Sequence, residues 1–165
     1  MKYADGPTAV VTRRVAASAD DVWRLVSDIN MPARFSSEFI GAEWVGDVQG
    51  GALGACFEGH NRHAAIGSWT TTSTVVGFEP GRTFAWAVGD PDDASALWRF
   101  DLAPEGDSTL VTFTVRIGPG RSGLTAAIEA MPDKEERIVE RRLQEFRQNM
   151  EATLDGVAAL AQADE

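Results

Sequence analysis

The chain has 165 residues, 44% hydrophobic and 24% charged, the make-up of one globular domain with a real core and not of a disordered or fibrous chain. A formal charge of −10 repels nucleic-acid backbones and anionic membrane surfaces, which excludes both as expected partners. Cys56 is the only cysteine, no signal pattern opens the chain and no apolar run nears the ~20 residues of a membrane span, so a reducing, cytoplasmic location is expected.

Residues 8–15 read as a first strand. Ser18 then offers a helix N-cap with Asp21 three residues on, and Val22, Trp23, Leu25, Val26 and Ile29 supply the apolar face of a short helix. Asn30-Met31-Pro32 ends it, and a second short helix or turn is expected to carry Phe35 and Phe39. From there the periodicity changes to two. Strands are predicted over 39–46, 53–62, 68–78, 83–89, 95–102 and 110–117, with turns at Gly50-Gly51, Pro80-Gly81, 90–93 and 104–107. Connections this short imply antiparallel hairpins. The clearest alternation sets Trp98, Phe100 and Leu102 against Arg99 and Asp101, so one sheet face is apolar and the other wet.

Gly118 to Gly123 reads as a flexible connector, a hinge or lid lacking the Gly-Lys-Ser/Thr ending of a phosphate loop, followed by a brief apolar turn over 124–128. A long helix is predicted from Pro132 to about Gln162. Its stripe of Val139, Leu143, Phe146, Met150, Leu154, Val157 and Ala161 follows the 3.6-residue period, with Glu140, Arg141, Glu145, Arg147, Gln148, Glu151 and Asp155 on other faces. At ~1.5 Å per residue it is roughly 45 Å long and needs a broad apolar partner, which only the sheet provides.

This order of elements, with Ala17-Ser-Ala-Asp-Asp-Val-Trp23, Val26-Ser-Asp28-Ile, Pro32, Phe57-Glu-Gly-His-Asn-Arg62, Trp69, Glu79-Pro-Gly-Arg82 and Trp98-Arg-Phe-Asp-Leu-Ala-Pro104, resembles the START-like helix-grip superfamily (SRPBCC), in particular its bacterial polyketide cyclase/dehydrases. The resemblance covers nearly the whole chain. It implies a single α+β domain over residues 1–165: a curved seven-stranded antiparallel sheet around a long C-terminal helix, with two short helices after strand 1. It also implies a deep apolar cavity between sheet and helix, used across the superfamily for hydrophobic small molecules.

Given such a cavity, strand parity turns Phe57, Gly59 and Asn61, Trp69, Thr71 and Ser73, Phe84, Trp86 and Val88, Trp98 and Phe100, and Phe113 and Val115 inward, to be met by Phe146 and Met150. Of these, Phe57, Asn61, Trp69, Thr71, Trp86, Trp98, Phe100, Phe113, Phe146 and Met150 are the expected ligand contacts. Asn61, Thr71 and Ser73 need partners among themselves, in water or in a ligand, and Gly59 suggests a bulge, a bend or room for a ligand.

No metal site or cofactor is expected. Glu58, His60 and Arg62 share the wet face, His63 falls on the other, and Cys56 points away from the cavity. Asp28 and Glu38 read as a cap and a surface acid, and no inward-facing His, Asp, Glu or Arg is evident. The expected function is binding of a lipid-, aromatic- or polyketide-like molecule by a monomer or homodimer. A polyketide cyclase/dehydratase is the first alternative and a co-chaperone-like interaction module the second. Catalytic residues are not assignable from the sequence.

Overall fold

The computed structural model describes residues 1–48 and 50–163. Seven strands form one antiparallel sheet: β1 (Thr8–Val15), β2 (Phe39–Trp44), β3 (Cys56–His63), β4 (Gly67–Glu79), β5 (Thr83–Val88), β6 (Ala96–Glu105) and β7 (Ser108–Ile117), ordered β1-β7-β6-β5-β4-β3-β2. Strands β2 to β7 are successive neighbours, as their short turns require. β1 closes the far edge against β7, from Thr8 opposite Arg116 to Val15 opposite Thr109. The segment between β1 and β2 therefore crosses the whole sheet, carrying helix α1 (Ala19–Val26) and a 3-10 turn at Pro32–Arg34. Ser18 caps α1 as expected, its hydroxyl accepting from the Asp21 amide at 3.2 Å.

The long helix is α3 (Glu135–Ala163), 29 residues entered through a 3-10 turn at Pro132–Lys134. Of its predicted stripe, Val139, Leu143, Met150, Leu154, Val157 and Ala161 are buried and Phe146 is half-buried. It packs closest against β1, α1, β7 and the short helix α2 (Gly123–Ala130), and so leaves a gap on the side of β3 to β6. At Gly156 its backbone lies directly under the Phe35 ring, which leaves no room for a Cβ.

Two apolar clusters result. The larger runs through Val15, Val22, Phe100, Phe113, Leu143, Met150 and Leu154; the smaller contains Ile29, Phe57, Val75 and Phe84. Trp23 and Trp86 touch both.

Four local expectations change. The sheet bulges at Ile40 and Val76, where the register shifts, while Gly59 pairs regularly with Thr71 and Ala42; its missing side chain makes room for the Phe39 ring and the Thr71 hydroxyl. The β6–β7 turn is tighter than four residues, because Gly106 at φ 62° permits a two-residue connection between Glu105 and Ser108. The apolar turn after Gly123 is the helix α2, begun by a capping box between Ser122 and Thr125. The connector before it is no hinge or lid. Gly118 and Gly120 are buried, their amides donate to the carbonyls of Ser95 and Ala94, and the Tyr3 hydroxyl donates to the Gly120 carbonyl. The Asp93–Ala94 backbone occupies the space a Cβ at Gly120 would take, so glycine here serves close approach and not flexibility.

Candidate functional site

The gap left by α3 is a cavity of about 120 Å³. Its sheet wall comes from β3 (Phe57, Gly59, Asn61), β4 (Thr71, Ser73), β5 (Phe84, Trp86, Val88), β6 (Trp98, Phe100) and β7 (Phe113). Alternation along each strand explains why every second residue appears. The helix supplies Phe146, Asn149, Met150 and Thr153, spaced on one face, and the α1–β2 crossover closes the rim with Val26, Asp28, Ile29, Pro32, Ser36, Glu38 and Phe39. Lining residues range from fully buried Phe100 to exposed Asp28, so the cavity opens to solvent.

Aromatic rings set its shape. Trp86 and Trp98 stack with centroids 6.2 Å apart, Phe146 meets Trp98 edge-on at 5.1 Å, and Phe100 stacks on Phe113 at 3.9 Å. Among the predicted contacts, all but Trp69 line this space. Trp69 shares the inward face with Thr71 and Ser73, but opposite Asn61 it sits one step nearer the β3–β4 hairpin and beyond the cavity wall.

Ser73 is 2% exposed, and among the described residues no protein partner engages the side chains of Asn61, Thr71 or Ser73. No enclosed side-chain nitrogen or oxygen among those residues lacks a hydrogen bond, so these polar groups are the ones turned to the open cavity.

The expected absence of an inward acid or arginine is overturned. Glu38 is 8% exposed, lines the cavity and forms a bidentate ion pair with Arg142, itself 8% exposed: Nη1 donates to Oε1 at 2.7 Å and Nη2 to Oε2 at 2.8 Å. Arg142 also donates to Glu145 at 3.3 Å and covers the Phe146 ring, 4.3 Å from its centroid. Glu38 is held in place by its backbone, its amide donating to the Ser36 hydroxyl and its carbonyl accepting from Arg62. Arg142 sits immediately before the stripe residue Leu143, which is the one local hint that it is buried. Its partner lies 104 positions away, and no periodicity links the two.

His63 does turn to the inner side and meets α3: its Nδ1 accepts from the Ala65 amide, so Nε2 carries the proton and donates to Glu145 at 2.7 Å. His60 stays on the outer face with Glu43 and Thr70, and Cys56 lies beside Thr74, away from the cavity. Asp28 is not the helix cap expected: α1 ends at Ser27, its C-cap, and the Asp28 carboxylate accepts from the Asn30 amide in an Asx turn. Partial burial opposes ionisation of Glu145, but the His63 hydrogen bond and the Arg142 charge outweigh it and hold its carboxyl below the usual carboxylate value. A depressed acid stabilises the fold above its ordinary pKa. We therefore expect unfolding experiments to show this contribution lost as pH falls below about 4.5 through the lower folded value, and Glu145→Gln to flatten that slope.

A family model described as polyketide cyclase / dehydrase and lipid transport matches residues 7–154. Among solved structures, a Polyketide_cyc-like protein from Corynebacterium glutamicum is 26% identical, with 95% of this chain and 92% of that chain covered and a TM-score of 0.68. The Zhui aromatase/cyclase from Streptomyces sp. R1128 is 20% identical, covering 94% of this chain and 93% of that one at a TM-score of 0.66, a likeness of fold. No curated protein matches the chain in sequence.

Proposed function

The chain belongs to the polyketide cyclase / dehydrase and lipid transport family, and we propose that it binds a hydrophobic small molecule, aromatic or polyketide-like, between its sheet and α3. The observation that carries this is the aromatic-walled cavity with a few convergent polar groups, the usual composition of a ligand site. Its size narrows the ligand. About 120 Å³ approaches the ~150 Å³ apolar cavity known to admit benzene, so the enclosed part corresponds to about one ring. A larger ligand would extend through the opening by Asp28.

Native mass spectrometry of protein purified gently from its own host tests the reading. A discrete bound mass supports it; an apo mass together with no binding of apolar fluorescent probes would overturn it.

Cyclase or dehydratase chemistry is the second reading, favoured by Glu38, an acid on the cavity wall. In that reading the apolar walls fold a reactive chain and the Asn61 amide polarises a carbonyl. Asn61→Leu separates the two. A binder keeps its affinity for apolar ligands within a few-fold, whereas a cyclase using that amide loses about 10²–10³ in turnover with binding intact.

A further inference from the structure

The charge on the cavity wall has one sign. Asp28 and Glu38 line the space, and among the described residues no lysine, arginine or histidine does. The nearest cation described above, Arg142, gives three N–H donors to Glu38 and Glu145, and it is the Phe146 ring beneath it, not the guanidinium, that lines the interior. Bidentate pairing uses one lone pair on each Glu38 oxygen and leaves a second on each to accept a hydrogen bond. Within the same enclosure Ser73, Thr71 and Asn61 offer hydroxyl and amide groups that serve equally as donors or acceptors.

From this arrangement we infer that the cavity selects an uncharged ring bearing a hydroxyl, a phenol or enol, with Glu38 as the specificity-determining acceptor, and rejects ligands that carry a carboxylate. A carboxylate entering the apolar enclosure would lose its hydration, meet Glu38 and Asp28 at short range and find no free cation. A hydroxyl would instead gain a charge-assisted bond that Arg142 has already oriented at no further ordering cost. This inference rests on the binding reading above and adds the chemistry of what is bound.

Three single-ring probes that differ only in the group para to a methyl test it on the wild-type chain at pH 7: p-cresol, p-xylene and p-toluate, titrated by calorimetry and followed by amide chemical shifts. We expect p-cresol to bind about tenfold or more tighter than p-xylene, with shifts concentrated at the cavity-lining residues of β3 to β7, α3 and 36–39, and p-toluate to bind at least tenfold more weakly than p-cresol. Equal affinity for p-cresol and p-xylene, or p-toluate binding as well as p-cresol, overturns the selectivity while leaving the binding reading intact. Binding of none of the three overturns both. The variant Glu38→Gln/Arg142→Met, which removes both buried charges together, is expected to reduce the p-cresol preference to a few-fold at most. If it does not fold, the wild-type probe series alone decides.

Discussion

Arg142→Met is expected to destabilise the protein by about 3–5 kcal/mol in urea unfolding. The reason is the partner left behind. Glu38 and Arg142 are both 8% exposed and joined by two short hydrogen bonds, so deleting the cation strands a desolvated carboxylate. The pair itself contributes far less than that loss suggests, because burying two ions offsets most of their attraction. Glu38→Leu/Arg142→Met should therefore recover most of the single variant's deficit, with methionine packing on Phe146 where the guanidinium now lies. A single-variant loss under about 1 kcal/mol would mean that water reaches Glu38 freely, and the pair could then not shape the cavity as described.

Phe100→Ala should lower stability by a similar amount, about 3–5 kcal/mol, by a different route. Phe100 has no exposed surface, stacks on Phe113 at 3.9 Å and touches Trp86, so its removal loses both transfer energy and contacts. It also lines the cavity, and the void it leaves joins the existing space. Denaturant melts and ligand titration together give a two-part outcome: a weaker fold that now admits a larger ring system than the wild type. Loss of stability with unchanged ligand size preference would show that the neighbouring rings collapse into the vacated space.

Much of this molecule was legible without coordinates, and the reason is that the informative signals are local. The alternation of Trp98, Phe100 and Leu102 assigns a sheet face, because side chains on a strand repeat every two residues. The stripe from Val139 to Ala161 assigns the buried side of α3 by the same logic at a period of 3.6, and Ser18 marks the start of α1 through its own hydrogen bond. These patterns, added together, imply an antiparallel sheet holding the terminal helix and assign most of the inward side chains; that a cavity lies between them is what the resemblance to the helix-grip superfamily implies.

Tertiary structure alone decided what the wall can do. Parity places Trp69 inward but cannot say that α3 leans toward β1, which sets where the gap ends. Six glycine-rich residues from Gly118 read as mobile, yet contacts with Ala94, Ser95 and Tyr3, all distant in sequence, fix Gly118 and Gly120. Glu38 reads as a surface acid until its partner is known, since whether a charge tolerates burial depends on an opposite charge that can lie anywhere in the chain. Periodicity fixes which way a residue points; only the packed fold determines what it meets there.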